Sequence, residues 1–435
     1  MTKTTNRTAT TLRARALRPA VAALAVAAVG LPLAAGPASA SPATASPDAA
    51  TRVDVRHHPH PFPHPAPHHG ASRDLVAASR GVVEAGSVGH LALVGDGRRV
   101  TGVATGLADR ATGRPLRLDD QFEIGSNTKT FTAVLALQLV ARGELGLDDT
   151  VEHHLPGVVP GGDAITVRML LQHTSGLYSF TGDEPFFRSL LADPRRVWTP
   201  EQLVAIATSH DPTFPPGQGW SYSNTNYIVA GMIIEKVSGR ELPDLVRDRI
   251  ARPLGLRHTE LLRGAAPRIG PGYAHGYLIA FDDAGRPEAW TDVSDGALGG
   301  WAGAAGAVLS TPAELARFYS ALLQGRLLPK AQLAQMQTTV PLPDGFGPYP
   351  GGYGLGLIRT ETPCGTVWGH GGDTLGHHST VALTADGRRF AITDTTSGPN
   401  PLDGPTPPAQ KLADAMGHAE EAAVCAMVGK PVPKG

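Results

Sequence analysis

The sequence predicts an α+β fold in which an antiparallel β-sheet is flanked by helices and carries a largely helical inserted domain. Segments typical of strands lie near both ends of the chain, at 88–105 and 353–394, and segments with helical spacing lie between them. Asp-Gly pairs at 96–97 and 386–387 predict tight turns of β-hairpins. We therefore expect strands from both ends to share one sheet, with a cleft between that sheet and the insertion.

Three helices are predicted from apolar spacing or from their first residues. The apolar side chains of 130–145 recur at helical intervals. Thr199 and Thr311 each precede a proline and are followed three residues later by Gln202 and Glu314, which is the pattern of a helix N-terminus. The individual strands predicted are 88–94, 99–105, 353–359, 365–368, 379–384 and 389–394.

The first 40 residues have the parts of a secretory signal peptide. Basic residues precede an apolar run over 20–35, and Ala38-Ser39-Ala40 ends the segment. The run is shorter than the roughly 20 apolar residues that a spanning helix needs, so a secreted protein without stable membrane insertion is expected. Residues 41–70 are rich in proline and histidine and predict a disordered arm, in which capture of a metal ion stays open.

The remaining chain predicts a folded domain over 71–425, with a helical subdomain at about 150–290 and a tail over 426–435. The 435 residues are 41% hydrophobic and 18% charged, which is a globular composition. A formal net charge of −1 argues against nucleic acid as a partner, because such proteins are usually strongly basic. In an exported chain the two cysteines, Cys364 and Cys425, predict one disulfide.

The first motif that could carry out catalysis is Ser126-Asn127-Thr128-Lys129, at the start of the first long helix. Serine and lysine three residues apart lie on one face of a helix, so their side chains can meet. The chain has 7 lysines against 31 arginines, and Lys129 is the only lysine between Lys3 and Lys236. A lysine can lose its proton when it is buried, whereas an arginine cannot, so Lys129 fits the task of a catalytic base.

Two further motifs follow along the chain. Tyr222-Ser223-Asn224 combines a phenol that can carry a proton with an amide that can hold a substrate peptide bond. His370-Gly371-Gly372 enters a predicted strand, where glycines allow close approach of a ligand and the strand edge can pair with an extended substrate. The histidine is expected to supply partial positive charge.

Together the three motifs resemble the penicillin-recognising serine hydrolases, the family of DD-peptidases and class C β-lactamases. The resemblance covers about residues 75–400 and is nearest to secreted D-alanyl-D-alanine carboxypeptidases, including a cysteine shortly before the third motif. It implies a serine β-lactamase/DD-peptidase-like fold and a serine hydrolase domain. Other segments that resemble the family are 122–125, 170–177, 222–239, 300–302, 305–306 and 353–357.

The resemblance implies a catalytic role for four residues. Ser126 would attack the penultimate D-Ala carbonyl of a peptidoglycan stem peptide and form an acyl-enzyme that water hydrolyses. Lys129 and Tyr222 would share the proton transfers, and which of them is the base stays open. The backbone N–H groups of Ser126 and Asp373 would form the oxyanion hole. No metal or other cofactor is required, and β-lactams are expected to act as covalent inhibitors.

The resemblance also implies residues that bind the substrate. Asn224 would hold the substrate amide, Trp301 would line the cleft, and His370 would act near the departing D-Ala carboxylate. The strand that supplies the third motif would bring its two glycines, Gly371 and Gly372, beside the substrate. His173, which precedes a predicted tight turn, is expected to be structural.

Two departures from the carboxypeptidase pattern keep alternatives open. Gly371 stands where the carboxypeptidases have a threonine whose hydroxyl can bind the terminal carboxylate. An arginine that they place directly after the Leu-Gly-Leu segment is displaced here, where Ile358 precedes Arg359. The predicted activity is a D-alanyl-D-alanine carboxypeptidase, and the alternative is an esterase, a D-amino-acid amidase or a β-lactamase of the same fold acting on another small acyl substrate.

Overall fold

The structure, a computed structural model, describes residues 70–265 and 270–433. The predicted signal peptide, 1–40, and all but the last residue of the predicted arm, 41–70, lie outside these residues, so both stay predictions. Within the described ranges no helix combines the length and apolar character needed to cross a membrane.

Within the described residues nine strands form one sheet, and its antiparallel pairing confirms the predicted type of sheet. The strands of the whole structure are β1 (Gly89–Gly95), β2 (Val100–Asp109), β3 (Arg114–Pro115), β4 (Phe122–Glu123), β5 (Glu260–Leu261), β6 (Tyr277–Phe281), β7 (Pro287–Asp292), β8 (Val308–Ser310), β9 (Val340–Pro341), β10 (Gly351–Tyr353), β11 (Ile358–Thr362), β12 (Gly365–Asp373), β13 (His378–Leu383), β14 (Phe390–Thr395) and β15 (Ser397–Pro399). The large sheet has the order β3-β2-β1-β14-β13-β12-β11-β10-β9.

Strands from the two ends of the chain meet in the middle of this sheet. β1 pairs with β14 in a register that runs from His90 opposite Thr395 to Gly95 opposite Phe390. The turn between β1 and β2 is closed by Asp96, whose carboxylate accepts backbone N–H groups of the next two arginines at 2.7 Å each. The predicted joining of the chain ends in one sheet is thus confirmed.

Helices cover both faces of the sheet. They are α1 (Arg73–Glu84), α2 (Thr128–Ala141), α3 (Val151–His154), α4 (Val167–Gln172), α5 (Glu184–Ala192), α6 (Pro200–Thr208), α7 (Asn224–Ser238), α8 (Leu242–Val246), α9 (Arg252–Leu254), α10 (Leu298–Trp301), α11 (Gly303–Gly306), α12 (Pro312–Leu323), α13 (Lys330–Met336) and α14 (Pro407–Val428). Helices α1 and α14 bury apolar side chains against one face of the sheet. Helices α2 and α12 belong to the larger core on the opposite face.

The insertion is helical over most of its length but not to its predicted end. Helices α3 to α9 lie between residues 151 and 254. Residues 277–292, within the range predicted as the helical subdomain, form the hairpin of β6 and β7 instead, and β6 pairs in parallel with β15. A third small sheet has the order β4-β8-β5 and lies next to the start of α2.

The two predicted helix starts differ in how they are capped. At α6 the Thr199 side chain accepts the N–H of Gln202, and the Gln202 side chain accepts the N–H of Thr199, so the reciprocal capping box is complete. At α12 the Thr311 hydroxyl accepts the N–H of Glu314, but the Glu314 carboxylate accepts the N–H groups of 257 and 258. The Glu314 carboxylate therefore holds the loop at 257–258 in place instead of capping its own helix.

The prediction of one strand over 353–359 was wrong. β10 ends at Tyr353 and β11 begins at Ile358, and a tight turn joins them with the N–H of Gly354 donating to Leu357 O at 2.8 Å. Gly356 has φ +72°, a backbone conformation that glycine adopts without strain. Leu355 and Leu357 are both buried. The alternation of apolar residues that predicts a strand therefore comes from a turn that packs into the core.

The predicted disulfide between Cys364 and Cys425 is present, with a Cα–Cα distance of 5.2 Å. Cys364 directly precedes β12, and Cys425 lies in the last turn of α14. The bond therefore joins the strand that carries the third motif to the C-terminal helix.

Candidate active site

Ser126 lies where the chain passes from a short 3₁₀ turn, Gly125–Asn127, into helix α2. It is partly exposed, whereas the residues on either side of it are buried. The turn is held to the sheet by the Asn127 side chain, which donates to Ser379 Oγ at 3.0 Å and accepts the hydroxyl of Tyr319 at 2.9 Å. A reactive hydroxyl is thus presented from a rigid helix start.

Lys129 is fully buried one helical turn from the serine. Its Nζ lies 2.9 Å from Ser126 Oγ, 2.7 Å from Asn224 Oδ1 and 2.8 Å from the carbonyl oxygen of Ala305. The Asn224 amide is oriented by its own N–H donation to Thr181 Oγ1 at 2.9 Å. Asn224 begins α7 and Ala305 lies in α11, so two elements distant in sequence from α2 converge on one amine.

These partners accommodate an uncharged amine. The two carbonyl oxygens, of Asn224 and Ala305, can only accept, so each takes a hydrogen from the amine, and the Ser126 hydroxyl, which can accept or donate, is the third partner. Burial lowers the pKa of Lys129 well below its usual 10.5, and the negative charge of Asp373 only partly opposes this shift. The arrangement can therefore take a proton from Ser126.

The pKa of Tyr222 is shifted in the opposite direction to that of Lys129. Burial raises the pKa of its phenol well above 10, although a hydrogen bond with Ser126 acts in the other direction. The Lys129 Nζ lies 4.8 Å from the centre of the Tyr222 ring, over its face. Tyr222 is consequently a protonated phenol in contact with the serine, suited to donating a proton.

The third motif approaches the serine through backbone rather than side chains. A Cβ atom at Gly372 would lie 2.0 Å from Ile124 O and 2.8 Å from Ser126 N. A Cβ atom at Gly125 would lie 2.6 Å from both the N and the O of Asp373. Only glycine allows this approach, which sets the strand end carrying the Asp373 N–H next to the serine turn.

The strand edge beside the serine is open. β11 pairs with β12 only as far as Gly369, opposite Ile358, whereas residues 370–373 of β12 pair with β13 alone. Their other edge therefore has backbone groups that an extended substrate can use.

His370 is buried and held by protein groups on both ring nitrogens. Its Nδ1 lies 2.5 Å from Gly371 O and its Nε2 lies 2.9 Å from the Tyr353 hydroxyl. Burial lowers the pKa of His370 to about 3, so the ring is neutral at physiological pH. Burial therefore excludes a full positive charge at this histidine, whereas the predicted partial positive charge, which the N–H of a neutral ring also carries, stays a prediction.

The remaining predicted residues lie around this centre. His173 is fully buried, accepts the N–H of Ser223 at Nδ1 (3.2 Å) and contacts the Tyr353 hydroxyl through Nε2 (3.2 Å), a linking position that agrees with a structural role. Trp301 ends α10 directly before the α11 turn that carries Ala305, and its indole packs on the core while partly exposed.

Sequence reasoning missed several groups that complete the site. Tyr353 lies in a segment that resembles the family, yet its role as the link between His173 and His370 depends on packing. The Ala305 carbonyl and Thr181 hydroxyl leave no signal in the sequence, since any residue has a carbonyl and threonines are common. Phe346, an exposed aromatic side chain whose ring lies 5.9 Å from that of Tyr222, was also not singled out.

The sheet, the helical insertion and the serine–lysine–tyrosine centre define a serine hydrolase. Residues 73–415 match the β-lactamase family, and the chain belongs to it.

The relatives within this family have several activities. Penicillin-binding protein 4* of Bacillus subtilis is 30% identical over 66% of this chain and 63% of its own length, so the chain spans somewhat less than two thirds of that relative. The structure of a D-stereospecific amidohydrolase from Streptomyces sp. is 41% identical, with a TM-score of 0.68 over 79% of this chain and 97% of the other. A D-amino acid amidase from Ochrobactrum anthropi SV3 is 27% identical, with a TM-score of 0.68 over 80% and 97%.

Proposed function

We propose that the protein is an exported serine amidohydrolase that hydrolyses amides and short peptides of D-amino acids through an acyl-enzyme on Ser126. The observation that carries the chemistry is the buried Lys129 amine, which the carbonyl oxygens of Asn224 and Ala305 hold 2.9 Å from Ser126 Oγ. Export is supported by the N-terminal pattern of basic residues, apolar run and Ala-Ser-Ala.

The groups around the serine suggest one course for the reaction. Lys129 takes the hydroxyl proton as Ser126 Oγ attacks the substrate carbonyl, and the N–H groups of Ser126 and Asp373 stabilise the oxyanion. The Tyr222 phenol delivers a proton to the leaving nitrogen and is reprotonated through Lys129. Water then attacks the ester by the same path, so that amide and water give acid and amine.

The choice of substrate depends on what stands beside the leaving group. Gly371 has no hydroxyl for a terminal carboxylate, and His370 is neutral. The guanidinium of Arg359 bonds to Glu361 at 2.8 Å, and this arginine lies opposite Trp368, well before the end of β12. A leaving group without a carboxylate fits this surface, and the similarity to the D-stereospecific amidohydrolase supports the same class.

Ammonia release from the amides of D-alanine and D-phenylalanine, compared with their L-enantiomers, tests this proposal. We expect turnover of the D-amides by the mature protein and none by Ser126→Ala. An N-acyl-D-Ala-D-Ala peptide and benzylpenicillin, followed by mass spectrometry of products and intact protein, cover the competing activities. Faster release of D-Ala than of ammonia would replace the proposal with a carboxypeptidase, and rapid consumption of the lactam would replace it with a β-lactamase.

A further inference from the structure

A row of three charged side chains starts at the residue that follows the third motif. Asp373 Oδ1 lies 2.6 Å from His378 Nδ1, and His378 Nε2 lies 2.9 Å from Glu420 Oε1. Asp373 and His378 are directly opposite each other on β12 and β13, and Glu420 comes from α14. The Asp373 side chain is 70% exposed, so its carboxylate is accessible to solvent.

This Asp373–His378–Glu420 row has a net negative charge. Burial alone would lower the pKa of His378, but the two carboxylates that contact it raise that pKa well above 6.5. The charge of His378 and its hydrogen bond to the Asp373 carboxylate in turn hold the pKa of Asp373 below its usual value. Two carboxylates therefore share one imidazolium, which leaves one uncompensated negative charge.

The row lies beside the place where a leaving group would leave the site. The backbone N and O of Asp373 lie against Gly125, the residue that precedes the nucleophile. Asp373 also acts electrostatically on Lys129 and Tyr222, shifting the pKa of each upward. The negative end of the row is therefore close enough to influence the reacting groups.

Gly371 and Asp373 face the same side of β12, because alternate residues of a strand share a face. A Cβ atom at Gly371 would have no neighbour closer than Ser379 O at 3.8 Å, so this face is open. Residues two apart along a strand are about 7 Å apart, which places a substrate carboxylate over Gly371 within Coulomb range of Asp373.

We propose that the Asp373–His378–Glu420 row determines substrate specificity by repelling substrates that have a carboxylate next to the scissile bond. The inference rests on the proposed function only for the acylation of Ser126. The inference goes beyond the absence of a threonine at 371. Without that hydroxyl the site would lack one favourable contact with a substrate carboxylate, whereas the negative charge of the row would repel the carboxylate.

The test compares D-alanyl-D-alanine with D-alanyl-D-alaninamide, which differ only in the C-terminal group, a charged carboxylate in one and a neutral amide in the other. Cleavage of the internal bond is followed by mass spectrometry, and the readout is the ratio of kcat/KM for the amide to that for the acid. We expect a ratio on the order of ten or more in the wild type. Asp373→Asn should reduce it towards one, Glu420→Gln should change it less in the same direction, and His378→Asn should increase it.

Asp414→Asn, an exposed carboxylate on the same helix, is the matched control and should leave the ratio unchanged. Addition of salt to the wild type should reduce the ratio without any substitution, because ions screen exposed charges. The inference is overturned if the ratio changes neither with added salt nor in the variants of Asp373, His378 and Glu420. If neither dipeptide is cleaved, the proposed function is in error. The inference is then tested by the acylation of Ser126, as the ratio of the rate with the uncharged methyl ester of benzylpenicillin to the rate with benzylpenicillin itself.

Discussion

Lys129 shows how one residue acquires its chemistry from its surroundings. An exposed lysine has a pKa near 10.4 and is a poor base at neutral pH. Here complete burial lowers that pKa, and two carbonyl oxygens hold the amine 2.9 Å from Ser126 Oγ. Tyr222, also in contact with the serine, has its pKa raised and keeps its proton. These opposite pKa shifts support the proposed roles, with Lys129 as base and Tyr222 as acid.

Lys129→Arg should reduce acylation of Ser126 by about a thousandfold, because a guanidinium keeps its proton and cannot act as a base. In the wild type, kcat/KM should rise with pH through the lowered pKa of Lys129, since only the neutral amine accepts the serine proton. Rates of acylation measured across pH check both statements. Lys236→Arg, at the exposed end of α7, is the control that should keep full activity. An active Lys129→Arg enzyme would show that another group is the base.

At the scale of elements, the end of β12 combines two glycines with different surroundings. Gly372 is pressed against the serine turn, where a Cβ would meet Ile124 O at 2.0 Å. Gly371, one residue earlier, points to open space. The fold therefore requires glycine at 372, whereas the space around 371 would accept a side chain.

Gly371→Ala and Gly372→Ala should consequently differ. The first should fold and retain most of its activity, whereas the second should lose activity by at least about a hundredfold, because displacement of the strand by even 1 Å misplaces the oxyanion N–H. Thermal unfolding and kcat/KM on the same substrate give the comparison. Equal behaviour of the two variants would mean that β12 does not approach the serine as closely as described.

At the scale of the whole molecule, the C-terminal helix links stability to the site. α14 packs on the sheet with α1, is bonded through Cys425 to Cys364 at the start of β12, and supplies Glu420 to the row that ends at Asp373. The tail of the chain is in this way connected to both ends of the strand that lines the cleft.

Replacement of both cysteines by serine should lower the free energy of unfolding by about 2–4 kcal/mol, because the unfolded chain regains the entropy of a long closed loop. Denaturation by urea, with free thiols counted by mass spectrometry, measures the change. Activity under native conditions should decline far less, since the glycine contacts near Ser126 hold the strand end independently. An unchanged midpoint would contradict a stabilising role for the bond.

Much of this organisation was predictable from local patterns. Asp-Gly turns, Thr-Pro helix starts and the lysine retained at 129 in an arginine-rich chain act over a few residues, so the sequence determined the strands at both ends, several helices and the serine–lysine pair. The same local reasoning failed at 353–359, where buried leucines belong to a turn, and at 277–292, where a hairpin pairs with β15 far along the chain.

Only the tertiary structure decides the protonation states of the site residues and the charges that lie beside them. The sequence shows a histidine at 370, but only the fold shows that this histidine is buried and hydrogen-bonded to Tyr353, where its ring is neutral. The sequence places Asp373 and Glu420 far apart, yet His378 joins them in one row. Charge and pKa depend on desolvation and on neighbours within a few ångströms, and those neighbours come from segments that only the complete fold brings together.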